Sequence, residues 1–298
     1  MTAEIPAVRA APLPPWAAAA RRMPNRQGFI HVDACAVHYL AWGDPAAPPL
    51  VLIHGNAASA EWWRFVAPLL ANDYHVIAPD LGGMGDSAHC GRYERERYAE
   101  QVMAVADALA PGQWPVVAGH SLGGYVAIMA ACAHGHRMAG LVVIDSPPRE
   151  LDGVLPALRV QSRPEPKIYP DRAAALSRFV VLPPQAVNCG FYLRHIAEHA
   201  IKPQDGGWRW KFDPAALAFP RRLDFVQDLL DRHCPTAIMW GELSERYDLP
   251  LRTMTREIFG GVFPLVEIAN ARHHIMLDEP LALVAALRAQ IENWRTAR

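Results

Sequence analysis

From Pro49 onward the chain alternates short, continuous apolar runs with longer mixed stretches. The runs Leu50 to His54, His75 to Asp80, Val116 to Ser121, Leu141 to Ser146, Thr236 to Gly241 and Pro264 to Ile268 are rich in Val, Ile and Leu. Runs of that length without polar alternation predict strands covered on both faces, as in a parallel sheet. Between them lie helix-length segments at about 61–71, 93–109, 122–134, 249–259 and 281–295. Strand alternating with helix predicts an α/β fold: a mostly parallel central sheet flanked by helices. Ahead of these, Phe29 to Trp42 alternates apolar and polar residues around Asp33-Ala34, which predicts an antiparallel hairpin. Residues 1–27 are Ala-, Pro- and Arg-rich without a period, and read as an N-terminal arm with regular structure starting at Gly28.

One gap breaks the rhythm. Residues 147–235 are too many for a single crossover, and they carry prolines together with Phe179, Phe191, Tyr192, Trp208, Trp210 and Phe212. This segment is expected to form a mainly helical cap or lid, dividing the sheet domain into residues 28–146 and 236–298.

Composition narrows the function classes. A chain of 298 residues with 51% hydrophobic and 20% charged positions supplies a large core and excludes fibrous and disordered readings. Its formal net charge of -1, and lysines confined to Lys167, Lys202 and Lys211, leave no basic footprint for a nucleic acid. No run reaches 18 apolar residues, so no membrane span is expected. The five cysteines, Cys35, Cys90, Cys132, Cys189 and Cys234, form no C-x-x-C and read as unpaired small hydrophobes. With no signal-like start, they suggest a reducing, cytoplasmic setting.

The sharpest chemical signal is Gly119-His120-Ser121-Leu122-Gly123, a G-x-S-x-G between a predicted strand and a predicted helix. In that setting the serine sits on a tight turn that small neighbours permit, with its Oγ lifted clear of the sheet and helix amides beside it. His54-Gly55-Asn56-Ala57 follows an earlier strand, and Asp80 to Ser87 spells D-x-x-G-x-G-x-S. Near the C-terminus, His273 precedes Asp278 by five residues and Pro280 by seven. On these motifs the chain from Gly28 to Trp294 resembles the α/β-hydrolase family, and is similar to its serine esterases with a lid insert.

That resemblance implies Ser121 as nucleophile, His273 as base, and backbone amides of Asn56 and Leu122 as the oxyanion hole. It places the acid after the Thr236 to Gly241 strand as G-x-x-D, where this chain has Gly241-Glu242-Leu243-Ser244-Glu245. A Gly-x-x-Ser-Asp/Glu variant of the pattern makes Glu245 the expected acid, with Asp145 the alternative. Trp62, Trp63, His120, Trp208 and Trp210 are candidate pocket residues, one tryptophan of the first pair serving the core. The implied activity is hydrolysis of a small-molecule carboxylic ester or thioester, with no metal or organic cofactor. A carbon–carbon hydrolase, lactonase, acyltransferase, peptidase or slow ligand receptor remains open on the same residues, as does a homodimer.

Two further motifs carry less weight. His195-Ile196-Ala197-Glu198-His199 fits the H-x-x-E-H of inverted zinc peptidases, but a polar face of a lid helix explains it more simply. Gly83-Met84-Gly85 with Ala88 mimics G-x-G-x-x-A, but it does not follow the first strand as a dinucleotide site requires.

Overall fold

The computed structural model describes residues 13–149, 167–217 and 224–296. In chain order the first part carries α1 (Pro15–Arg22), β1 (Arg26–Val32), β2 (Cys35–Trp42), β3 (Pro49–Ile53), α2 (Ala67–Leu70), β4 (His75–Pro79) and α3 (Arg95–Leu109). Then come β5 (Val116–His120), α4 (Leu122–His134) and β6 (Gly140–Ile144). The insert that follows holds α5 (Arg172–Leu176), α6 (Gly190–His199), the hairpin β7 (Ile201–Gln204) and β8 (Gly207–Trp210), and α7 (Val226–Leu230). The chain returns to the sheet with β9 (Thr236–Gly241), α8 (Leu249–Phe259), β10 (Leu265–Ile268), α9 (Ile275–Asp278) and α10 (Pro280–Thr296).

Eight strands form one sheet in the order β1-β2-β4-β3-β5-β6-β9-β10. All neighbours from β4 to β10 are parallel, and the β1–β2 hairpin adds an antiparallel edge. The hairpin turns at Asp33-Ala34, with Asp33 at φ +52°, a conformation short polar side chains tolerate. Alternate residues of each strand feed opposite layers. Leu50, Leu52, Val142 and Ile144 pack toward α1, α2 and α10, whereas Val51, Ile53, Leu141 and Val143 pack toward α3 and α4. Each fully buried Leu or Val side chain contributes about 1.5–3 kcal/mol. Helix α4 is buried from Leu122 to Ala131, as its uniformly apolar sequence requires.

Three expectations need correction. Regular structure begins ahead of Gly28: α1 forms on the alanine run, with Pro15 in its first turn and Ala17 and Ala20 against the core. The helix expected over 61–71 is a 3-10 turn at Ala60–Trp63 followed by α2, because the Pro68 ring is incompatible with a helical carbonyl four residues earlier. Cys35 and Cys90 are not free thiols but a disulfide, bringing the start of β2 to the loop after β4. Their separation of 55 residues hid the pairing, and the argument for a reducing compartment loses its basis. No described helix is long and apolar enough to cross a membrane.

The insert is less purely helical than expected, since its described part includes the β7–β8 hairpin. It is seated on the sheet domain through α6. Tyr192, fully buried, donates its hydroxyl to the Trp62 carbonyl, and Phe65 meets Tyr192 edge to face at 4.7 Å.

Candidate active site

β5 ends at His120 and α4 begins at Leu122, so Ser121 alone makes the turn between them. Its backbone lies at φ 54°, ψ -118°, a conformation that costs a non-glycine residue about 1–3 kcal/mol. Neighbouring backbone leaves no room beside it. A Cβ on Gly119 would sit 2.0 Å from the Gly123 carbonyl oxygen, and one on Gly123 would sit 2.5 Å from that of Ile53. Glycine at both positions is what lets strand and helix close on the serine. Leu122 opens α4, so its amide belongs to the first turn, which has no intrahelical acceptor.

His273 lies between β10 and α9, 3% exposed, with Nδ1 2.6 Å from Oδ2 of Asp145. Asp145 follows β6 directly, at φ +48° and fully buried. Its carboxylate also accepts the Ser244 hydroxyl at 2.6 Å and the Gly241 amide at 3.1 Å. Three donors converge on one buried carboxylate. Glu245, the expected acid, is exposed and does not serve His273. The turn closed by the Ser244 amide on the Gly241 carbonyl sends Ser244 inward and Glu245 out. The acid facing His273 is therefore Asp145.

The histidine loop is fixed from both sides. His120 Nε2 donates to the His273 carbonyl at 2.9 Å, joining that loop to the residue before Ser121. Asp278 accepts the Arg272 amide at 2.8 Å and the Gln185 side-chain amide at 3.2 Å, while Gln185 Oε1 accepts the His274 amide at 2.8 Å. Gln185 thus ties the insert to the histidine loop, a role no local pattern announced. Burial pushes the pKa of His120 and His274 well below the ordinary imidazole value, and the neighbouring His273 pushes it further.

The D-x-x-G-x-G-x-S turn is architectural. Asp80 accepts the amides of Ala60 at 2.6 Å and Asp86 at 2.9 Å and pairs with His38 Nδ1 at 2.8 Å. Gly85 is obligatory, since its Cβ would fall 2.2 Å from the Asp80 carboxyl carbon. His54 Nε2 accepts the Leu81 amide at 3.0 Å, so this turn and the loop Gly55 to Ala58 brace each other.

A cavity of about 180 Å³ opens over Ser121. The sheet domain lines it with Gly55, Asn56, Trp62, His120 and His274, and the insert with Phe179, Leu182, Trp210, Phe212 and Leu217. Of the expected pocket residues, Trp62, His120 and Trp210 are there. Trp63 is core, with no exposure. Trp208 and Trp210, two residues apart on β8, share the face that packs with Tyr169, Ala175 and Ile201, and of the two only Trp210 also reaches the cavity wall. Phe179 and Leu182 come from irregular parts of the insert and Leu217 from the end of a 3-10 turn at Pro214–Leu217, where residue spacing reveals no facing.

His195 and His199 share one face of α6, as their spacing implies, and their rings lie 4.0 Å apart. Glu198 is exposed, and the carboxylate against His195 is Glu61 from the sheet domain, at 2.7 Å. Burial opposes ionisation of Glu61, but hydrogen bonds from His195 and Arg64 prevail and hold its pKa well below the usual range.

Strained serine, buried histidine–aspartate pair, parallel sheet and inserted segment together define a hydrolase architecture. Residues 50–287 match the alpha/beta hydrolase family, and the chain belongs to it. The chain is 40% identical over 111 residues to a pimeloyl-[acyl-carrier protein] methyl ester esterase of Sodalis glossinidius (strain morsitans), covering 37% of this chain and 41% of that protein. It is 38% identical over 103 residues to a 2-hydroxymuconate semialdehyde hydrolase of Pseudomonas sp. (strain CF600), covering 33% and 36%. The aligned part spans 54% of a human serine hydrolase-like protein at 31% identity, and about a third of other curated relatives it matches. Among solved structures, E-2-(acetamidomethylene)succinate hydrolase shares the fold with a TM-score of 0.79 at 23% identity, over 90% of this chain and all of that one.

Proposed function

We propose that the protein is a serine hydrolase that cleaves a small carboxylic ester or thioester through an acyl-enzyme on Ser121. The observation that carries this reading is the strained Ser121 at the floor of an apolar cavity, beside a histidine loop whose His273 is held by Asp145 at 2.6 Å. With Nδ1–H donated to Asp145, the Nε2 lone pair of His273 is the group that accepts the Ser121 proton as Oγ attacks the acyl carbon. Asp145 fixes that tautomer and stabilises the imidazolium. The amides of Asn56 and Leu122 receive the oxyanion. His273 then protonates the leaving alcohol or thiol, and water, deprotonated in turn by His273, releases the acid from Ser121.

The insert acts as a cap, its aromatic side chains excluding water from the acyl chain. A cavity below the ~300 Å³ of common ligand sites favours short acyl groups. The test is hydrolysis of chromogenic esters graded from short to long acyl chains. Turnover should be greatest for short chains and vanish in Ser121→Ala, with circular dichroism unchanged. Equal hydrolysis by wild type and variant would overturn the assignment.

A second reading is favoured by one relative's name, the 2-hydroxymuconate semialdehyde hydrolase. The same residues would then cleave a carbon–carbon bond next to a ketone. A vinylogous keto acid turned over faster than any simple ester would select it.

A further inference from the structure

The three consecutive or adjoining histidines around Ser121, namely His120, His273 and His274, are all buried, and each can offer a ring nitrogen within 4.8 Å of the other two. The proposed hydrolysis uses only His273. The hydrogen bonds of the rings decide which nitrogens are left over. His120 Nε2 faces the His273 carbonyl at 2.9 Å, and His274 Nε2 faces the Pro183 carbonyl at 3.3 Å. A carbonyl oxygen only accepts, so in each neutral ring Nε2 carries the hydrogen and Nδ1 carries the lone pair. His273 is set the opposite way: Nδ1–H is given to Asp145, and Nε2 carries the lone pair. The Nδ1 atoms of His120 and His274 are buried and have no hydrogen-bond partner among the described residues. A Cβ on Gly55 would lie 3.3 Å from His120 Nδ1 and 3.4 Å from Ser121 Cβ, so that lone pair and the nucleophile border one recess.

Three imidazole lone pairs, each with its opposite nitrogen held by an oxygen acceptor, reproduce what zinc sites need. The ligands are neutral nitrogens whose outer N–H groups are anchored to a carboxylate or carbonyl. We propose that the cavity binds one borderline divalent transition cation, Zn²⁺ as the representative, through His120 Nδ1, His273 Nε2 and His274 Nδ1, with Ser121 Oγ or water in the fourth position. Tetrahedral Zn–N bonds of about 2.0–2.1 Å require these nitrogens to come to roughly 3.4 Å from one another, against the 4.8 Å within which the three rings already offer a nitrogen each. Hard cations such as Mg²⁺ lack oxygen ligands here and are refused. Occupancy is a brake: the lone pair of His273 coordinates the metal and cannot accept the serine proton. This last step rests on the proposed function, but metal binding does not.

The test is calorimetric titration of the full chain, stripped with chelator and dialysed, with ZnCl₂. Wild type should bind one Zn²⁺ per chain, with Co²⁺ giving the intense visible band of a four-coordinate ion. His274→Ala should weaken binding at least tenfold, and MgCl₂ should give no heat. His195→Ala serves as the control for the Glu61, His195 and His199 cluster on the cap and should bind as wild type does. Because His274→Ala removes a buried ring, His274→Leu, which keeps the volume, must give the same loss. Absence of Zn²⁺ binding, or binding lost in His195→Ala and retained in the His274 variants, overturns the site. Zn²⁺ binding with the expected variant pattern in a protein that hydrolyses no ester would uphold the site and reject the proposed function instead. In an active enzyme, Zn²⁺ that binds at this site without slowing ester hydrolysis overturns the brake.

Discussion

Asp145 uses its carboxylate on three donors, His273, Ser244 and Gly241, and reaches none of them through solvent. Asp145→Asn would present an amide where an ionised acceptor is required, favouring the wrong tautomer of His273. A fall in kcat of about 10³–10⁴-fold is expected, with far-ultraviolet circular dichroism unchanged. Glu245→Gln, an exposed change, should stay within twofold of wild type. Ester kinetics on the two variants side by side check both, and a larger loss in Glu245→Gln would reverse the assignment. Ser121 and His273 were legible because each sits in a local motif with its own register. The carboxylate facing His273 was not, because the ends of β6 and β9 lie side by side, and only the packing of the strands decides which one delivers it. The Ser244 hydroxyl on Asp145 is the detail that explains the departure from G-x-x-D: the position is still engaged with the acid, as its donor.

At the scale of elements, the β5–Ser121–α4 unit is tightly constrained. Gly119→Ala would drive a methyl into the Gly123 carbonyl, and Gly123→Ala would drive one into the end of β3. Each should cost about 1–3 kcal/mol or more by overpacking and lower the thermal midpoint by several degrees. Gly112, which has open space around its Cβ position but a positive φ of 74°, should cost less than either on substitution by Ala. Thermal unfolding followed by circular dichroism ranks the three. Most strands and long helices were legible, since buried runs and helical periods are local. α1 was missed because an alanine run has little hydrophobic contrast, yet alanine is the best helix former and Pro15 suits the first turn. The orientation of the insert was not legible, because its cavity side chains come mostly from irregular chain whose facing is fixed by contact with the sheet domain.

Several buried histidines set the acid tolerance of the whole molecule. Burial lowers the pKa of His54, His120 and His274, and burial with the nearby Arg26 charge lowers that of His75 to about 4. In the unfolded chain these imidazoles take protons near pH 6.5. The unfolded state therefore binds more protons below that pH, and stability falls as the pH drops from about 6.5 toward 4. Urea midpoints should decline steadily between pH 7.5 and 5, and a flat profile would contradict the burial of these rings as neutral groups.

The sheet order has a consequence for position 244. β6 and β9 are parallel neighbours, with Ile144 level with Met239, so Asp145 and Ser244 meet beyond adjacent strand ends, and Asp145 in turn holds the His273 imidazole. A carboxylate introduced at position 244 would stand beside that of Asp145, where the Ser244 hydroxyl now donates at 2.6 Å, and the two would have to share a proton. The serine at position 244 thus stays engaged with Asp145 without bringing in a second charge, and it leaves the carboxylate on His273 in place.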